Sequence, residues 1–561
     1  MSLHLGSVAI VVASSPDMAR LILRDHDLAF GDRSPSAVGI HLFGGPRSMV
    51  FSSAASPHWK LLRRISASQL FTAKQVDRFR SVRAAEARRL MRSVLADCST
   101  EPATPLIRCC LRPKLMQSMS EQTAKVMTGQ TLTQLAGDDS AGRILQLIEQ
   151  VPKLLGAFNV GDYLPFLAWM DLQGCERRSQ KLAADLQEAL IKPVIESRRQ
   201  AAGAAEEEAY FLDALLALYA SSPANSSTPV STIMGNFLPY GCQMHWEQCK
   251  GYKELKTEKN QSIIRNYRGW LCSVLVKLWW NRDKDSGLLR IPYLQTVLGR
   301  VLRRYVSQIP PNMIETAGYR MDGNKEEGSS SEDRKPIPTA HEIDESSGQA
   351  EKALQEFFVG GTDTCAVTIE WAFVELLKNP KKLHLVQEEI DKVVGRARIV
   401  EEGDIPHLPY LGACVKETLR LHPPVPLLMP HATSQACEIM DFQILPYTQA
   451  YVNVWAIGRD SRVWEHADQF LPERFLNIDP IDMQGQHFEL LPFGAGRRIC
   501  PGLKLALPSM YLILACLLQG FEWSLTPSQH VDMTEHFGAI ISKKTPLVAL
   551  AKPVLPKDLY T

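Results

Sequence analysis

The chain has 561 residues, of which 45% are hydrophobic and 22% are charged, and its formal net charge is +1. This composition predicts a globular protein with a sizeable core, and the balance of charge predicts no nucleic-acid partner. The 12 cysteines lack the paired spacings of a disulfide framework, which indicates a reducing compartment.

The first twenty or so residues predict two strands and then a helix. Residues 1–12 read as a strand pair, and Ser14, Ser15 and Pro16 mark the start of the helix. No apolar run of roughly eighteen or more residues stands before this helix, so we expect no membrane-spanning segment there.

Trp59 and Arg63 are the first candidate functional pair. Their i, i+4 spacing places an indole N–H and a guanidinium on one face of a helix, where the two donors can hold an anion. A lone pair of this kind more often serves ordinary packing, so the interpretation depends on the other motifs.

Residues 221–349 differ in composition from the rest of the chain. A Ser- and Pro-rich stretch opens the segment, the middle mixes tryptophan with lysine, and a run of serine and acidic residues near the end predicts disorder. The segment is far longer than an ordinary loop. Cys242, His245 and Cys249 could be drawn as zinc ligands, but a fourth ligand with suitable spacing is missing, so we reject that interpretation.

Residues 357–377 form one apolar pattern with helical spacing, which contains Gly360 and Gly361. Two glycines inside a helix cost roughly 1 kcal/mol each relative to alanine, so a close neighbour such as a bound ligand has to require them. Asp363 and Thr364 follow, and their side chains can bond the backbone or an ordered water, which predicts a groove in the helix. A plain kink is the alternative.

Glu417 and Arg420 lie three residues apart on a predicted helix, where they can pair through the planar fork of arginine. Most pairs of this spacing lie on solvated surfaces and contribute little to stability. This pair is followed closely by a His-Pro-Pro run, which ends the helix. Arg474 lies further along, in a Pro-Glu-Arg-Phe run.

The most informative stretch is residues 493–502, Phe-Gly-Ala-Gly-Arg-Arg-Ile-Cys-Pro-Gly. It presents Cys500 on a glycine-rich turn before an apolar helix, whose stretch 506–518 is too short to span a bilayer and belongs to the core. Pro501 suits the first position of that helix, and helical N–H groups would face the sulfur and favour its thiolate form. These features predict a haem ligand, and an ordinary buried cysteine is the alternative.

With Phe493, Gly496, Arg498, Cys500 and Gly502 in place, this stretch resembles the haem-binding loop of the cytochrome P450 superfamily. The resemblance implies that the chain binds haem b and that Cys500 is the axial ligand of the iron. It also implies that Phe493 shields the sulfur, that Arg498 meets a haem propionate, and that Gly496 belongs to the same cofactor-binding loop.

The other motifs acquire roles from the same resemblance. The propionates are expected to be reached also by Trp59, Arg63 and His431. Thr364 and its neighbour Asp363 are expected to hold water and deliver protons during oxygen activation. Cys365 replaces the hydroxyl residue usual beside them and leaves details of the proton path open. A buried structural triad is expected from Glu417, Arg420 and Arg474.

The resemblance also places a substrate pocket and suggests what it binds. Its expected lining is Phe357, Gly360, Gly361, Val425, Leu428 and Ile540. A mostly apolar pocket suits a flat phenolic or a terpenoid. Residues 158–174 resemble a segment of plant flavonoid 3'- and 3',5'-hydroxylases, whereas residues 452–460 are of a plant type that also occurs in terpenoid hydroxylases.

The fold implied is the mainly α cytochrome P450 fold with small β-sheets, a single large haem-thiolate domain. Its two parts would be residues 1–220 and 350–561, separated by the atypical insertion 221–349, which is either disordered or the product of a retained intron. A transcript spliced from near Thr228 to near Glu342 would support the intron, and only full-length transcripts would contradict it. Plant microsomal relatives carry an N-terminal membrane anchor, and this sequence shows no such segment before its first strands. We therefore expect a truncated chain, an error of gene prediction, or purely peripheral membrane binding.

The activity implied is insertion of one atom of O2 into a small hydrophobic plant metabolite, with flavonoid or phenolic hydroxylation favoured. NADPH–cytochrome P450 reductase would supply the electrons at the cytosolic face of the endoplasmic reticulum membrane, and Arg497 and Lys504 are either its contacts or ordinary solvated charges. The alternatives are a terpenoid hydroxylase of the same superfamily, a catalytically dead chain, and a haem-thiolate isomerase or dehydratase. The intact run 361–364 argues against the last of these.

Overall fold

Helices form most of the structure, in agreement with the predicted fold class. The computed structural model describes residues 1–99, 107–201, 210–215, 340–476, 481–526 and 531–560. These residues belong to one compact unit, Met1–Thr228 together with Thr339–Thr561. Most of the predicted insertion lies outside the described residues, and with it the rejected zinc ligands and the expectation of disorder or a retained intron.

The helices range from short turns to the long helix Ala340–Lys378. The longer ones are Pro57–Gln69, Arg80–Ser99, Leu111–Thr128, Asp138–Leu155, Cys175–Leu186, Lys192–Ala201, Ala340–Lys378, Pro380–Val393, Pro409–Leu421 and Leu503–Gly520. The shorter ones are Pro16–Arg20, Ala37–Phe43, Ala73–Arg78, Leu132–Ala136, Val160–Tyr163 and Val454–Ile457. Short stretches of tighter or wider helix are Leu21–Asp25, Gly45–Arg47, Pro165–Met170, Gln187–Ile191, Glu402–His407, Pro472–Phe475, Gly496–Arg498 and Lys557–Tyr560.

The described strands form a five-stranded sheet, a three-stranded sheet and two hairpins. They are β1 Ser2–Leu5, β2 Val8–Ala13, β3 Asp32–Arg33, β4 Ile107–Cys110, β5 His431–Ala432, β6 Cys437–Ile439, β7 Phe442–Ile444, β8 Gln449–Val452, β9 Phe521–Ser524, β10 Glu535–His536, β11 Ser542–Lys543 and β12 Val548–Pro553. The predicted N-terminal strand pair is the antiparallel pair β1 and β2. The larger sheet has the order β1-β2-β8-β5-β3, so β3 pairs with β5 and places Arg33 opposite His431, far away in sequence.

The long helix, Ala340–Lys378, passes through the predicted oxygen-activation motif without interruption, so neither the predicted groove nor the alternative kink breaks it. The surroundings of Gly360 and Gly361 on this helix differ. A Cβ at Gly361 would lie 2.9 Å from Thr123 Oγ1 on the helix Leu111–Thr128, so this glycine permits two helices to pack closely. A Cβ at Gly360 would meet nothing within 4 Å. Helix packing therefore accounts for Gly361, whereas Gly360 faces open space.

The final helix, Leu503–Gly520, carries the apolar stretch that follows the cysteine. It begins two residues later than Pro501 would predict, because Pro501 and Gly502 form a turn. Among the described residues it is the one helix long and apolar enough to cross a membrane by length and composition, and 67% of it is buried inside the protein. The predicted stretch 506–518 is thus part of a longer apolar helix, and the burial of that helix agrees with the prediction that the stretch belongs to the core.

Candidate functional site

The cysteine loop, residues 493–502, closes on itself through a hydrogen bond from the Cys500 N–H to the Phe493 carbonyl at 2.9 Å. Gly494 and Gly496 adopt φ angles of 70° and 64°, which favour glycine. A Cβ at Gly496 would lie 2.0 Å from the backbone carbonyl oxygen of Leu23. Glycine at this position therefore lets the loop lie against the turn Leu21–Asp25.

The sulfur of Cys500 has the neighbours that the sequence predicts, but they do not control its ionisation. Burial raises the pKa of the Cys500 thiol, whereas the N–H of Gly502, the charge of Arg63 and the N–H of Leu503 lower it. The predicted N–H groups of the helix start thus favour the thiolate, but burial outweighs them and the pKa of the thiol lies above its ordinary value. A bound metal ion deprotonates a coordinating thiol outright.

Three arginines form what we name the arginine cluster. Arg498 belongs to the cysteine loop, and Arg33 and Arg63 lie close to it. The guanidinium carbon of Arg498 lies 4.8 Å from the centre of the Trp59 ring, and that of Arg63 lies 5.7 Å from it. Arg63 Nη1 donates to the Ile499 carbonyl at 2.9 Å, and Arg498 Nη2 donates to a carbonyl of the loop before β3 at 2.7 Å. Neutral backbone carbonyls thus accept these bonds.

The arginine cluster holds more positive charge than its surroundings neutralise. Burial and the charge of Arg498 lower the pKa of Arg33 well below its usual value. Burial lowers the pKa of Arg498 to about 10, with Asp32 opposing and Arg63 contributing to the decrease. In the part of the chain that the structure describes, no carboxylate is found in an ion pair with Arg33, Arg63 or Arg498. Such a cluster fits a ligand that brings carboxylates of its own.

His431 belongs to the same region, as predicted, but as a neutral ring. Its Nδ1 donates to the Phe30 carbonyl at 2.8 Å. Burial, Arg33 and Arg498 keep its pKa well below the usual value. Sequence reasoning identified Trp59, Arg63, His431 and Arg498 but missed Arg33. No motif marks Arg33, which joins the cluster only because β3 pairs with β5.

The long helix supplies the groups on the other side of the site. Thr364 Oγ1 donates to the Gly360 carbonyl at 2.8 Å. Burial raises the pKa of Asp363 to about 6, with Glu149 adding to the increase. Burial also raises the pKa of Cys365 to about 12, against a hydrogen bond with Thr364, and the charge of Cys500 contributes to the increase. Because Cys500 affects Cys365 across the site, the long helix and the cysteine loop lie close to one another.

These features together fit a haem group. Cys500 presents a sulfur between backbone N–H groups, and the arginine cluster, next to Trp59, suits the two propionates. Gly360 leaves room on the long helix, where a Cβ would meet nothing within 4 Å. The residues present therefore fit the ligand and the charge of a haem-thiolate centre.

The three residues of the predicted structural triad, Glu417, Arg420 and Arg474, contact one another in the structure. Glu417 and Arg420 have fully buried side chains, and Arg420 Nε and Nη2 each donate to a different carboxylate oxygen at 2.7 Å. Arg474 Nε donates to the same carboxylate at 3.2 Å, and the Leu471 N–H donates to it at 2.7 Å. Glu417 thus joins the helix Pro409–Leu421 to the segment that contains Leu471 and Arg474.

The predicted pocket residues occupy three neighbourhoods. The Phe357 ring centre lies 4.9 Å from that of Phe211, edge to face, and it packs against the core. The segments of Val425 and Ile540 meet where the Ile541 N–H donates to the Pro424 carbonyl at 2.8 Å. Leu428 lies against the cysteine loop, since a Cβ added at Gly494 would lie 3.6 Å from Leu428 Cδ1. Contact of these residues with a substrate stays a prediction.

The fold and the cysteine site define a haem-thiolate protein, and the comparisons identify its family. The sequence profile described as Cytochrome P450 matches residues 1–234 and 341–550. The chain therefore belongs to the cytochrome P450 family and is a monooxygenase of that family.

Several relatives of known activity come from plants. A trimethyltridecatetraene synthase of Zea mays is 32% identical and covers 100% of this chain and 83% of the relative. A flavonoid 3',5'-hydroxylase of Campanula medium is 28% identical, and a flavonoid 3'-monooxygenase of Arabidopsis thaliana is 30% identical, each over 100% of this chain and 86% of the relative. A zebra fish cytochrome P450 structure with progesterone has a TM-score of 0.63 at 20% identity, covering 99% of this chain and 96% of that one, which supports the fold.

Gly496→Ala is expected to displace the cysteine loop and to lower the haem content of the purified protein several-fold. The φ of 64° costs roughly 1 kcal/mol or more for a non-glycine residue, and the new methyl group would overlap the Leu23 carbonyl. The ratio of haem to protein after purification measures the effect. Gly494→Ala is the matched control, because its φ is similar but its Cβ would meet only Leu428 at 3.6 Å. Equal haem loss in both variants would show that backbone strain, and not the overlap, is responsible.

Proposed function

We propose that this cytochrome P450 hydroxylates a flavonoid or a related phenolic. The observation that supports the chemistry is the arrangement of Cys500, the arginine cluster and Thr364 around one site. A haem bound there supplies reductive activation of dioxygen, in which one oxygen atom enters the substrate and the other leaves as water. The similarity to flavonoid hydroxylases supports the substrate class.

The protein residues hold the cofactor and manage protons. The arginine cluster binds and orients carboxylates, and the N–H groups of Gly502 and Leu503 stabilise negative charge on the sulfur of Cys500. The pKa of Asp363 is about 6, which is close enough to neutral pH for the carboxyl group to take up a proton and release it again. Thr364 is the next residue, and its hydroxyl, which bonds the Gly360 carbonyl, passes that proton into the site.

Aromatic side chains support a flat substrate. Phe357 lies between Phe71 and Phe211, with ring centres 6.2 Å and 4.9 Å away, and such surfaces pack well against an aromatic ring system. A terpenoid is the second candidate, because the maize relative is named for an unsaturated hydrocarbon. An apolar pocket accepts either class.

NADPH–cytochrome P450 reductase is the proposed electron donor, at the cytosolic face of the endoplasmic reticulum membrane. Both predicted contact residues are exposed. Arg497 forms an ion pair with Asp27, in which Nε lies 3.0 Å from Oδ2, whereas no ion pair of Lys504 is found among the described residues. We therefore place more weight on Lys504 as a contact for an acidic partner.

The substrate proposal is tested by incubating the haem-loaded chain with reductase, NADPH and either the flavanone naringenin or the terpenoid alcohol geraniol. An NADPH-dependent product heavier by one oxygen atom from naringenin supports flavonoid hydroxylation. Such a product from geraniol alone supports the terpenoid candidate. Product formation without reductase would instead support an isomerase or a dehydratase, and no product with any donor would support a catalytically dead chain.

Thr364→Ala is expected to keep haem and substrate binding but to divert electrons, so that peroxide formed per NADPH rises several-fold and product falls. The reason is loss of the hydroxyl that delivers protons at the correct place. Peroxide, NADPH and product are measured in one reaction. Thr362→Ala is the matched control, since its Oγ1 makes the equivalent bond to the Phe358 carbonyl at 2.7 Å but is fully buried. Unchanged coupling in Thr364→Ala would contradict the proton role.

A further inference from the structure

A buried carboxylate on the long helix binds the backbone of a distant segment. Glu356 lies one turn before Gly360 and is 6% exposed. Its Oε2 accepts a hydrogen bond from the Met49 N–H at 2.9 Å, and its Oε1 accepts one from the Val50 N–H at 3.4 Å. We name residues 48–52 the bridging segment.

The arginine cluster holds the opposite edge of the same segment. Arg498 Nη1 donates to the Met49 carbonyl at 3.3 Å, and Arg33 Nε donates to the Val50 carbonyl at 3.3 Å. Arg498 also donates to the Ser52 carbonyl. Two N–H groups of the bridging segment, those of Met49 and Val50, thus bond the long helix. Its Met49, Val50 and Ser52 carbonyls bond the arginine cluster.

A second anchor on the long helix supports this arrangement. Lys352 Nζ donates to the carbonyls of His41 and Leu42 at 3.3 Å and 3.2 Å, at the end of the helix Ala37–Phe43. Lys352 lies one turn before Glu356, so successive turns of the long helix hold successive parts of the chain between residues 41 and 50.

We propose that Glu356 is a positioning residue, which fixes the bridging segment between the long helix and the arginine cluster and so sets the spacing of the two sides of the site. The inference rests on the proposed function in one respect, that the cluster holds the haem propionates. Without Glu356, Arg33 and Arg498 would still bind the segment, but nothing would hold the segment to the long helix by its N–H groups.

The ionisation of Glu356 provides a signature that ordinary packing lacks. Burial raises its pKa to about 7, while bonds from Ser48, Met49 and Val50 and the charge of Lys352 oppose the increase. Glu351 also lies on the long helix, and Arg33 and Arg498 face the far edge of the segment. If the bridging segment detaches from the long helix, the Glu356 carboxyl group becomes solvated and its pKa falls toward its ordinary value. The held state therefore binds the proton more tightly, so raising the pH favours release of the segment.

The test is hydrogen–deuterium exchange of residues 48–52 in the haem-loaded full chain, corrected for the intrinsic effect of pH. Between about pH 6 and about pH 8, protection of the Met49 and Val50 amides is expected to fall about tenfold. Glu356→Gln should remove this pH dependence, and Glu356→Ala should lower protection at least about tenfold at both pH values. Glu351→Gln is the control, because that carboxylate accepts from Gln187 and not from the segment.

Equal pH dependence in the parent chain and in Glu356→Gln would overturn the proposal, as would unchanged protection in Glu356→Ala. If Glu356→Ala does not fold, the comparison with Glu356→Gln decides alone. Transfer of haem to apomyoglobin is a second readout, and Glu356→Ala should lose haem several-fold faster. Neither measurement needs a substrate, so failure of the flavonoid assay would leave this result intact.

Discussion

Cys500→Ala is expected to abolish completely the red-shifted Soret band of the reduced, carbon monoxide-treated protein. Alanine offers no ligand, whereas the arginine cluster that fits the propionates is untouched, so haem can still associate without a thiolate bond. The carbon monoxide difference spectrum measures the loss, and the pyridine haemochrome assay measures the haem that stays bound.

The matched control is Cys365→Ala. Cys365 is buried and is influenced by Cys500, but it lies on the long helix and is not presented by the cysteine loop. It should keep the band. A band that survives in Cys500→Ala, or is lost only in Cys365→Ala, would contradict the assignment of the ligand.

The same spectrum of the unaltered chain distinguishes a working enzyme from a dead one. A red-shifted band would show a folded thiolate-haem site despite the predicted insertion. If the band is missing and returns after deletion of residues 221–349, the family assignment holds and the chain as written is not its working form.

Glu417→Gln is expected to lower the free energy of unfolding by about 3–5 kcal/mol, the usual cost of removing one partner from a buried ion pair. The guanidinium of Arg420 is 0% exposed and would lose its only carboxylate partner among the described residues, and Arg474 would lose the same partner. Because total stability is typically about 5–15 kcal/mol, much of the expressed protein should be insoluble. Urea unfolding of the soluble fraction measures the difference.

Glu473→Gln serves as the control for this experiment. Glu473 pairs with Lys382 at 3.0 Å but is 47% exposed, so its removal should cost less than about 1 kcal/mol. A loss of similar size in the two variants would show that the buried triad has no special part in stability.

Motifs whose members lie on one loop or one helix were predictable from the sequence. Spacing within residues 493–502 indicated Cys500 and Gly496, and the i, i+3 spacing of Glu417 and Arg420 indicated a pair that the structure forms at 2.7 Å. Trp59 and Arg63 follow the same rule, since a regular helix relates residues three or four apart to one another. The fold class followed from resemblance, and the comparisons confirm it.

Features that depend on contacts between distant segments were not predictable in this way. The helix after Cys500 begins at Leu503, and burial of the sulfur outweighs the helix N-terminus, because burial is a property of the whole fold. Gly361 is required by Thr123 of another helix.

The sequence alone was enough to indicate the family, to predict Cys500 as the haem ligand and to pair Glu417 with Arg420, because spacing along a loop or a helix fixes local geometry. By contrast, contacts between distant segments bring Arg33 into the arginine cluster and Glu356 to the Met49 and Val50 amides. Their positions result from strand pairing and helix packing between parts of the chain separated by hundreds of residues, for which no local pattern exists.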